Sequence, residues 1–297
     1  MVYDPDAGLV TDIIACEDAY ESERTAAVSL VAGARLGELW IADRHFCTRT
    51  LLQGWEEAKA CFIVREHSRH PRLEQQGEWE DAGSCDTGLL QVQRISLCAD
   101  GLPQWRRIRL LLNAPTESGE TEIRLWTNLP LEVTAARIAD LYRRRWRIEG
   151  LFGRIESVLN SEIRSLGHPR AALLGFATAL LAYNALSLLK RCVEQAHHEK
   201  QPELDVSTYH LAVQVASDYQ GMLIALPAPE WRPWSEATPA HIAQYLLHLA
   251  AQVSPRSVAT SRRGPKKDKP KPYVDAAVVR KHLSTARVLR DAKVKTP

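Results

Sequence analysis

Three residues at a fixed spacing, Tyr142, Arg145 and Glu149, lie in the run Tyr142-Arg143-Arg144-Arg145-Trp146-Arg147-Ile148-Glu149. A carboxylate surrounded by guanidinium groups can be half of a surface ion pair. It can also be a metal ligand flanked by cations that hold phosphates. The second reading has a specific chemistry. Two divalent ions about 4 Å apart, clamping the attacking and leaving oxygens of a phosphodiester, need acidic oxygens converging from different elements. Asp43 is the natural second contributor. It closes the apolar run Glu38-Leu39-Trp40-Ile41-Ala42, and α/β sheets place their ligands at the carboxyl ends of strands. Arg145 one turn before Glu149 is the poorer order for a helix-stabilising pair, yet a surface salt bridge on an amphipathic helix also fits this pattern.

The elements that must position these groups follow from the periodicity. Met1 to Tyr3 and Leu9 to Ala15 read as a hairpin around the turn residues Asp4-Pro5-Asp6-Ala7-Gly8. Ser22 to Leu36 is expected to be helical, Glu38 to Ala42 a strand, Thr48 to Ala58 a helix and Cys61 to Arg65 a strand. Continuous apolar strands alternating with helices predict a sheet covered on its faces. Leu89 to Leu97, Arg106 to Asn113 and Ile123 to Thr127 read as an antiparallel insertion. A single 3.6-period helix is expected from the N-cap Thr134 to Leu159. At 100° per residue its core arc holds Leu141, Ile148, Leu151, Phe152, Ile155 and Leu159. Tyr142, Arg145, Glu149 and Glu156 fall on the adjoining shoulder, and Arg143, Arg147 and Arg154 on another face. A further helix runs from Pro169 to about Ala196, and residues 201–255 read as mostly helical with a Pro-rich break.

Charge is unevenly distributed: 13 of the 38 Lys+Arg but only 3 of the 36 Asp+Glu lie from Arg256 to Pro297. The body is therefore acidic and the tail basic, which suits a polyanion partner or a solubilising end. The segment Ser261 to Pro272, rich in Lys and Pro, is expected to be extended and mobile. The six cysteines form no CxxC pair and read as reduced thiols of a cytoplasmic protein. Ala171 to Leu189 is free of charge, but it holds Thr178, Asn184 and Ser187, so a buried helix of a soluble core is expected there and no membrane partner. A helical membrane or scaffold protein built on that segment is the competing class. His67-x-x-His70 has a metal-compatible spacing within a charged loop, with no cysteine partner beside it. No GxxxxGK loop is present, so nothing points to ATP.

The spacing Tyr142-x-x-Arg145-x-x-x-Glu149 resembles the carboxy-terminal signature of IS4-type transposases of the DDE class, Tyr, two residues, Arg, three residues, Glu, six residues, Lys. The first three positions match, and the lysine position holds Glu156. Ile41-Ala42-Asp43-Arg44-His45-Phe46 resembles the segment of the second aspartate. Leu125-Trp126-Thr127-Asn128-Leu129-Pro130 and Leu181-Ala182-Tyr183-Asn184-Ala185-Leu186 resemble the family's surroundings of the signature, and His282 to Arg287 the tails of some members. The resemblance implies an α/β fold: a ribonuclease-H-like catalytic core interrupted by a β-rich insertion, then helices and a basic tail. By position, residues 1–66 would begin the core and 67–130 form the insertion. Residues 131–200 would carry the signature helices, 201–255 a helical extension and 256–297 the flexible tail. It implies Mg²⁺, with Mn²⁺ as substitute, held by Asp43 and Glu149 as second and third carboxylates. Tyr142, Arg143, Arg145, Arg147 and Arg154 would face the DNA. The implied partner is double-stranded DNA with terminal inverted repeats, with room for a homodimer in the complex. The family's first aspartate precedes the hairpin region, and Asp4, Asp6 and Asp12 stand in the wrong context for it. The expectation is therefore an amino-terminally truncated, unstable and inactive enzyme, or a non-catalytic DNA-binding remnant.

Overall fold

A computed structural model describes residues 1–16, 22–69, 71–116, 118–159 and 168–260. His70 and the basic segment beyond Thr260 lie outside the described residues. The chain divides into two compact units: Met1–Ile13 with the described residues from Ile148 on, and Ile14–Arg147.

The first residues make a hairpin, β1 (Val2–Asp4) and β2 (Leu9–Asp12), the second strand shorter than its β-prone sequence suggests. The turn closes because Asp4 Oδ1 accepts from the N–H groups of Asp6 and Ala7 at 2.8 and 3.0 Å.

The Ile14–Arg147 unit is a mixed seven-stranded sheet covered on both faces. Its elements are α1 (Glu23–Ala32), β3 (Leu39–Ala42), a 3₁₀ turn (Arg44–Phe46), α2 (Arg49–Glu57) and β4 (Cys61–Arg65). There follow β5 (Gln75–Gln76), β6 (Glu80–Cys85), β7 (Gly88–Ser96), β8 (Trp105–Leu112), β9 (Glu122–Thr127) and α3 (Ala135–Arg143). The strand order is β3-β4-β9-β8-β7-β5, with β6 also paired to β7. β3 and β4 are parallel, Leu39 to Ala42 opposite Cys61 to Val64. All other pairs are antiparallel, and β9 joins β4 directly, so the β-rich stretch continues the same sheet. Alternation along the strands sends Phe62, Val64, Ile95, Trp105 and Trp126 toward α1 and α2, where they meet Val31, Leu51, Leu52 and Trp55. It sends Ile63, Leu90, Ile108, Leu110 and Leu125 toward α3 and its Ala135, Ile138, Ala139 and Tyr142. α1 and α2 approach closely at Gly54, where a Cβ would stand 2.7 Å from Val31 Cγ1. Thr48 and Thr134 cap their helices, accepting from Leu51 N and Arg137 N.

Two polar ties hold the layers in register. Asn128 Oδ1 accepts from Phe62 N at 2.8 Å, while its amide donates to Glu56 Oε2 and Ala60 O, both at 2.9 Å. Arg106, only 8% exposed, donates to the carbonyls of Leu129, Pro130 and Val133 at 3.1, 2.7 and 2.8 Å. These bonds fix the junction that leads into α3.

The expected helix from Thr134 to Leu159 is not continuous. α3 ends at Arg143, a 3₁₀ turn covers Arg144–Trp146, and α4 (Arg147–Leu159) follows. Between Tyr142 and Leu151 no residue is fully buried, and the apolar Trp146 is 65% exposed. No core stripe therefore holds these residues to α-helical pitch, and Asp140 draws Arg137, Arg143 and Arg144 toward one point at 3.2, 3.0 and 3.9 Å. Tyr142 therefore lies in α3, Arg145 in the 3₁₀ turn, and Glu149 and Glu156 in α4.

In the other unit, α5 (Pro169–His197) is followed by α6 (Thr208–Ala225), a 3₁₀ turn (Ala228–Trp231), α7 (Arg232–Ser235), α8 (Pro239–Ala250) and α9 (Pro255–Val258). α5 is long and apolar enough to cross a membrane. Against the expectation of a buried helix, it covers one stripe, including Ala179, Leu180, Tyr183 and Leu186, and leaves Leu174 and Leu181 more than two-thirds exposed. The reason is its neighbours: β2, α6 and α8 pack on part of its circumference. Lys190 donates to Asp205 Oδ1 and Val206 O at 2.6 and 2.7 Å, and Ser207 N donates to Val258 O. The first residues of the expected tail are thereby docked as α9.

Candidate active site

Asp43 follows directly from β3, and its Oδ1 accepts from His45 N at 2.8 Å, capping the 3₁₀ turn. Because Ala42 pairs with Val64 in parallel register, Asp43 and Arg65 leave the sheet at the same level. Tyr142 reaches this end of the sheet from α3 and is buried. Burial pushes the Tyr142 phenol up, Arg145, to which it is hydrogen-bonded, and Arg65 pull it back, and the charge of Asp43 adds to the rise. Tyr142 is thus hydrogen-bonded to Arg145 and within electrostatic reach of Asp43 and Arg65. The Arg145 guanidinium also lies 4.9 Å over the Trp146 ring.

Glu149 belongs to the other unit, exposed in the first turn of α4, where a carboxylate meets the positive end of the helix dipole. Glu156 is exposed on the same helix. Arg154 is committed within its own unit. Its Nη2 donates to Tyr183 Oη at 3.3 Å and Tyr3 Oη at 3.5 Å, and the two phenols lie 3.4 Å apart. Although burial pushes the Tyr183 phenol up, hydrogen bonds with Tyr3, Arg154 and Ser187 outweigh it and hold the phenol below its ordinary value. Arg143 is half exposed and bonded to Asp140; Arg147 is exposed at the start of α4.

Three charged residues at the Asp43 end were not read from the sequence. Arg44 and Arg65 both pair with Glu120, at 3.3 and 2.6 Å. Arg44 adjoins Asp43 in the chain, and Arg65 ends the neighbouring parallel strand, so pairing β3 with β4 would have found both. Glu120 sits in a loop with no pattern to mark it. His67 accepts from Arg69 N through Nδ1 at 3.2 Å, an internal loop contact. Burial pushes the Cys47 thiol up to about 12, so that cysteine is an inert core residue.

Asp43 and Glu149 are the hard oxygen donors that a divalent ion takes. Among the described residues, no group of three His, Cys, Asp or Glu side chains could hold a metal ion.

A mixed sheet with helices on both faces and a carboxylate at the end of a parallel strand define a mixed α/β protein. The profile of the transposase DDE domain matches residues 1–185, and the chain belongs to that family. Its fold is consistent with the family's ribonuclease-H-like core, its substrate class is DNA, and domains of this family generally use divalent metal ions. Comparison with curated proteins gives no match.

Proposed function

We propose that the chain is an IS4-type transposase that cuts DNA at terminal inverted repeats and joins the ends to a target. The placement of Asp43 at the carboxyl end of β3, against Tyr142, Arg145 and Arg65, carries this reading. Asp43 and Glu149 are the second and third carboxylates and hold Mg²⁺, for which Mn²⁺ substitutes. The ion lowers the charge cost of attack on a phosphodiester when bound. Tyr142 and Arg145 orient the phosphate beside Asp43, Arg145 through its planar fork. Arg143 and Arg147 meet the DNA backbone, and Arg154 adds its charge while fixed to the two phenols. Residues 1–66 and 131–200 are the core, 67–130 the insertion, 201–255 the helical extension and 256–297 a basic tail that follows the DNA. The protein works in the cytoplasm as a homodimer on its DNA.

The hairpin aspartates Asp4 and Asp12 are engaged locally and do not supply the first carboxylate: Asp4 accepts from Asp6 N and Ala7 N, and Asp12 from Ile13 N at 2.7 Å. The test is nicking of supercoiled DNA in Mg²⁺ or Mn²⁺ by this chain beside its Glu149→Gln variant. Nicking that disappears on Glu149→Gln supports the reading. A second reading is a DNA-binding remnant without turnover, and silence from a folded preparation that still binds DNA would establish it.

Glu156 reverses a charge where the signature has lysine. Because it is exposed on α4, Glu156→Lys is expected to tighten DNA association severalfold and steepen its salt dependence. An unchanged affinity would remove α4 from the DNA path.

A further inference from the structure

The charged trio Arg44, Arg65 and Glu120 adjoins Asp43, and through Arg65 it lies within electrostatic reach of Tyr142. Glu120 is presented by a self-locked turn. Gly119 N donates to Thr116 O at 2.8 Å, Thr116 N to Glu120 O at 2.9 Å, and Glu120 N to Thr116 Oγ1 at 3.1 Å. Gly119 takes φ +82°, which favours glycine. Ser118 Oγ donates to Glu120 Oε2 at 3.2 Å. These bonds order the backbone at Glu120 without the arginines. Its carboxylate meets two guanidinium groups, one on each parallel strand end.

We propose that Glu120 is a stand-in anion, holding Arg44 and Arg65 in the place where they take up a DNA phosphate beside Asp43. The inference rests on the transposase reading and deepens it by adding two phosphate-binding arginines and the group that occupies them in the free protein. Energetics separate this trio from the structural ion pairs. Arg107 and Glu66 are each about 12% exposed, and Glu66 also accepts from Trp126 Nε1 at 2.9 Å, so that pair is part of the packing. Arg44 is 49%, Glu120 29% and Arg65 20% exposed, so the Arg44 pair in particular is in the regime in which ion pairs add little to stability and exchange readily. A phosphate offers the same forked acceptor geometry as the carboxylate it displaces. The hydrogen bond with Arg65 holds the Glu120 carboxyl below its usual range, so it stays charged at neutral pH.

The test measures binding of a labelled short DNA duplex by fluorescence anisotropy across KCl concentrations. The proteins are the wild-type chain, Glu120→Gln, Arg65→Gln, Arg44→Gln, Arg145→Gln and the double variant Arg65→Gln/Glu120→Gln, each checked by thermal melting. Glu120→Gln should tighten binding by about threefold to tenfold and steepen the salt slope, while Arg65→Gln should flatten it by about one. In the Arg65→Gln background the gain from Glu120→Gln should largely disappear. Should Glu120→Gln fail to fold, Arg44→Gln, half exposed, carries the measurement through its own loss of slope. An equal gain from Glu120→Gln with and without Arg65 would reveal a general charge effect and overturn the proposal. So would salt slopes indifferent to Arg44 and Arg65 while Arg145→Gln weakens binding, which would leave the transposase reading standing. Absence of salt-dependent binding in every protein, wild type included, would overturn both.

Discussion

Exchanging Glu149 for glutamine in a version of the chain that nicks DNA should slow nicking by about a thousandfold or more, with DNA affinity nearly unchanged. Removing the anionic oxygen from a metal ligand forfeits several kcal/mol of stabilisation of developing charge; about 4 kcal/mol corresponds to three powers of ten in rate. The fold should barely register the change, because Glu149 is exposed and its favourable interaction with the α4 amino terminus is worth under about 1 kcal/mol. Glu156→Gln, on the same helix and equally exposed, is the matched control and should retain full rate. A loss at Glu149 smaller than tenfold, measured at saturating Mn²⁺, would remove it from the metal site.

Arg106→Met should lower the stability of the Ile14–Arg147 unit by about 2 kcal/mol, and here two effects oppose. Burial of the guanidinium is itself costly: desolvation pulls its pKa down, and its Nε has no hydrogen-bond partner. Against this, its loss leaves three carbonyls at the Leu129–Val133 junction without their donor, each worth roughly 1 kcal/mol or more when buried. The carbonyl term wins. Arg106→Lys should fall between, since one ammonium on a flexible stem cannot serve three acceptors as a planar fork does. The urea midpoint, followed by the fluorescence of buried Trp105 and Trp126, reports the change, and an unchanged midpoint for the methionine variant would show that water satisfies the junction. The same junction ends in the Thr134 cap of α3, so weakening it should also loosen the support of Tyr142.

These residues show where sequence reading succeeds and where it stops. Cys61–Arg65 was legible to the residue because an apolar run between turn residues has only one way to be buried in a sheet. The cap Thr134 was legible from chemistry local to one turn, whereas Thr48 was read as the start of its helix and the structure makes it the cap. The 3₁₀ turn at Arg144–Trp146 was not. Arginine is a good helix former, so propensity carries no warning of a break that follows from missing burial. Asp43 could be chosen from its position after a strand, whereas its partnership with Arg65 needed the strand pairing. Glu120, 77 residues further along the chain, was invisible because only the sheet brings the β8–β9 turn to that end. Asn128 and Asn184 were read without a bonding role, and the structure supplies their physical task. Arg154 had been placed on a helix face by angle; its bonds to Tyr3 and Tyr183 depend on a chain separation that periodicity does not see.

Asn184 holds Val10 by both sides of its backbone, Oδ1 accepting from Val10 N at 2.9 Å and Nδ2 donating to Val10 O at 2.8 Å. That is the bond pair a neighbouring strand would make, provided instead by one side-chain amide. A two-stranded hairpin offers outer N–H and C=O groups to any passing extended chain, and such margins seed aggregation. In β2 the central groups of that margin are already occupied by a partner that cannot be lengthened into another strand. The amide therefore acts as a terminator, fastening the hairpin to α5 while closing the route by which β2 could recruit a foreign strand.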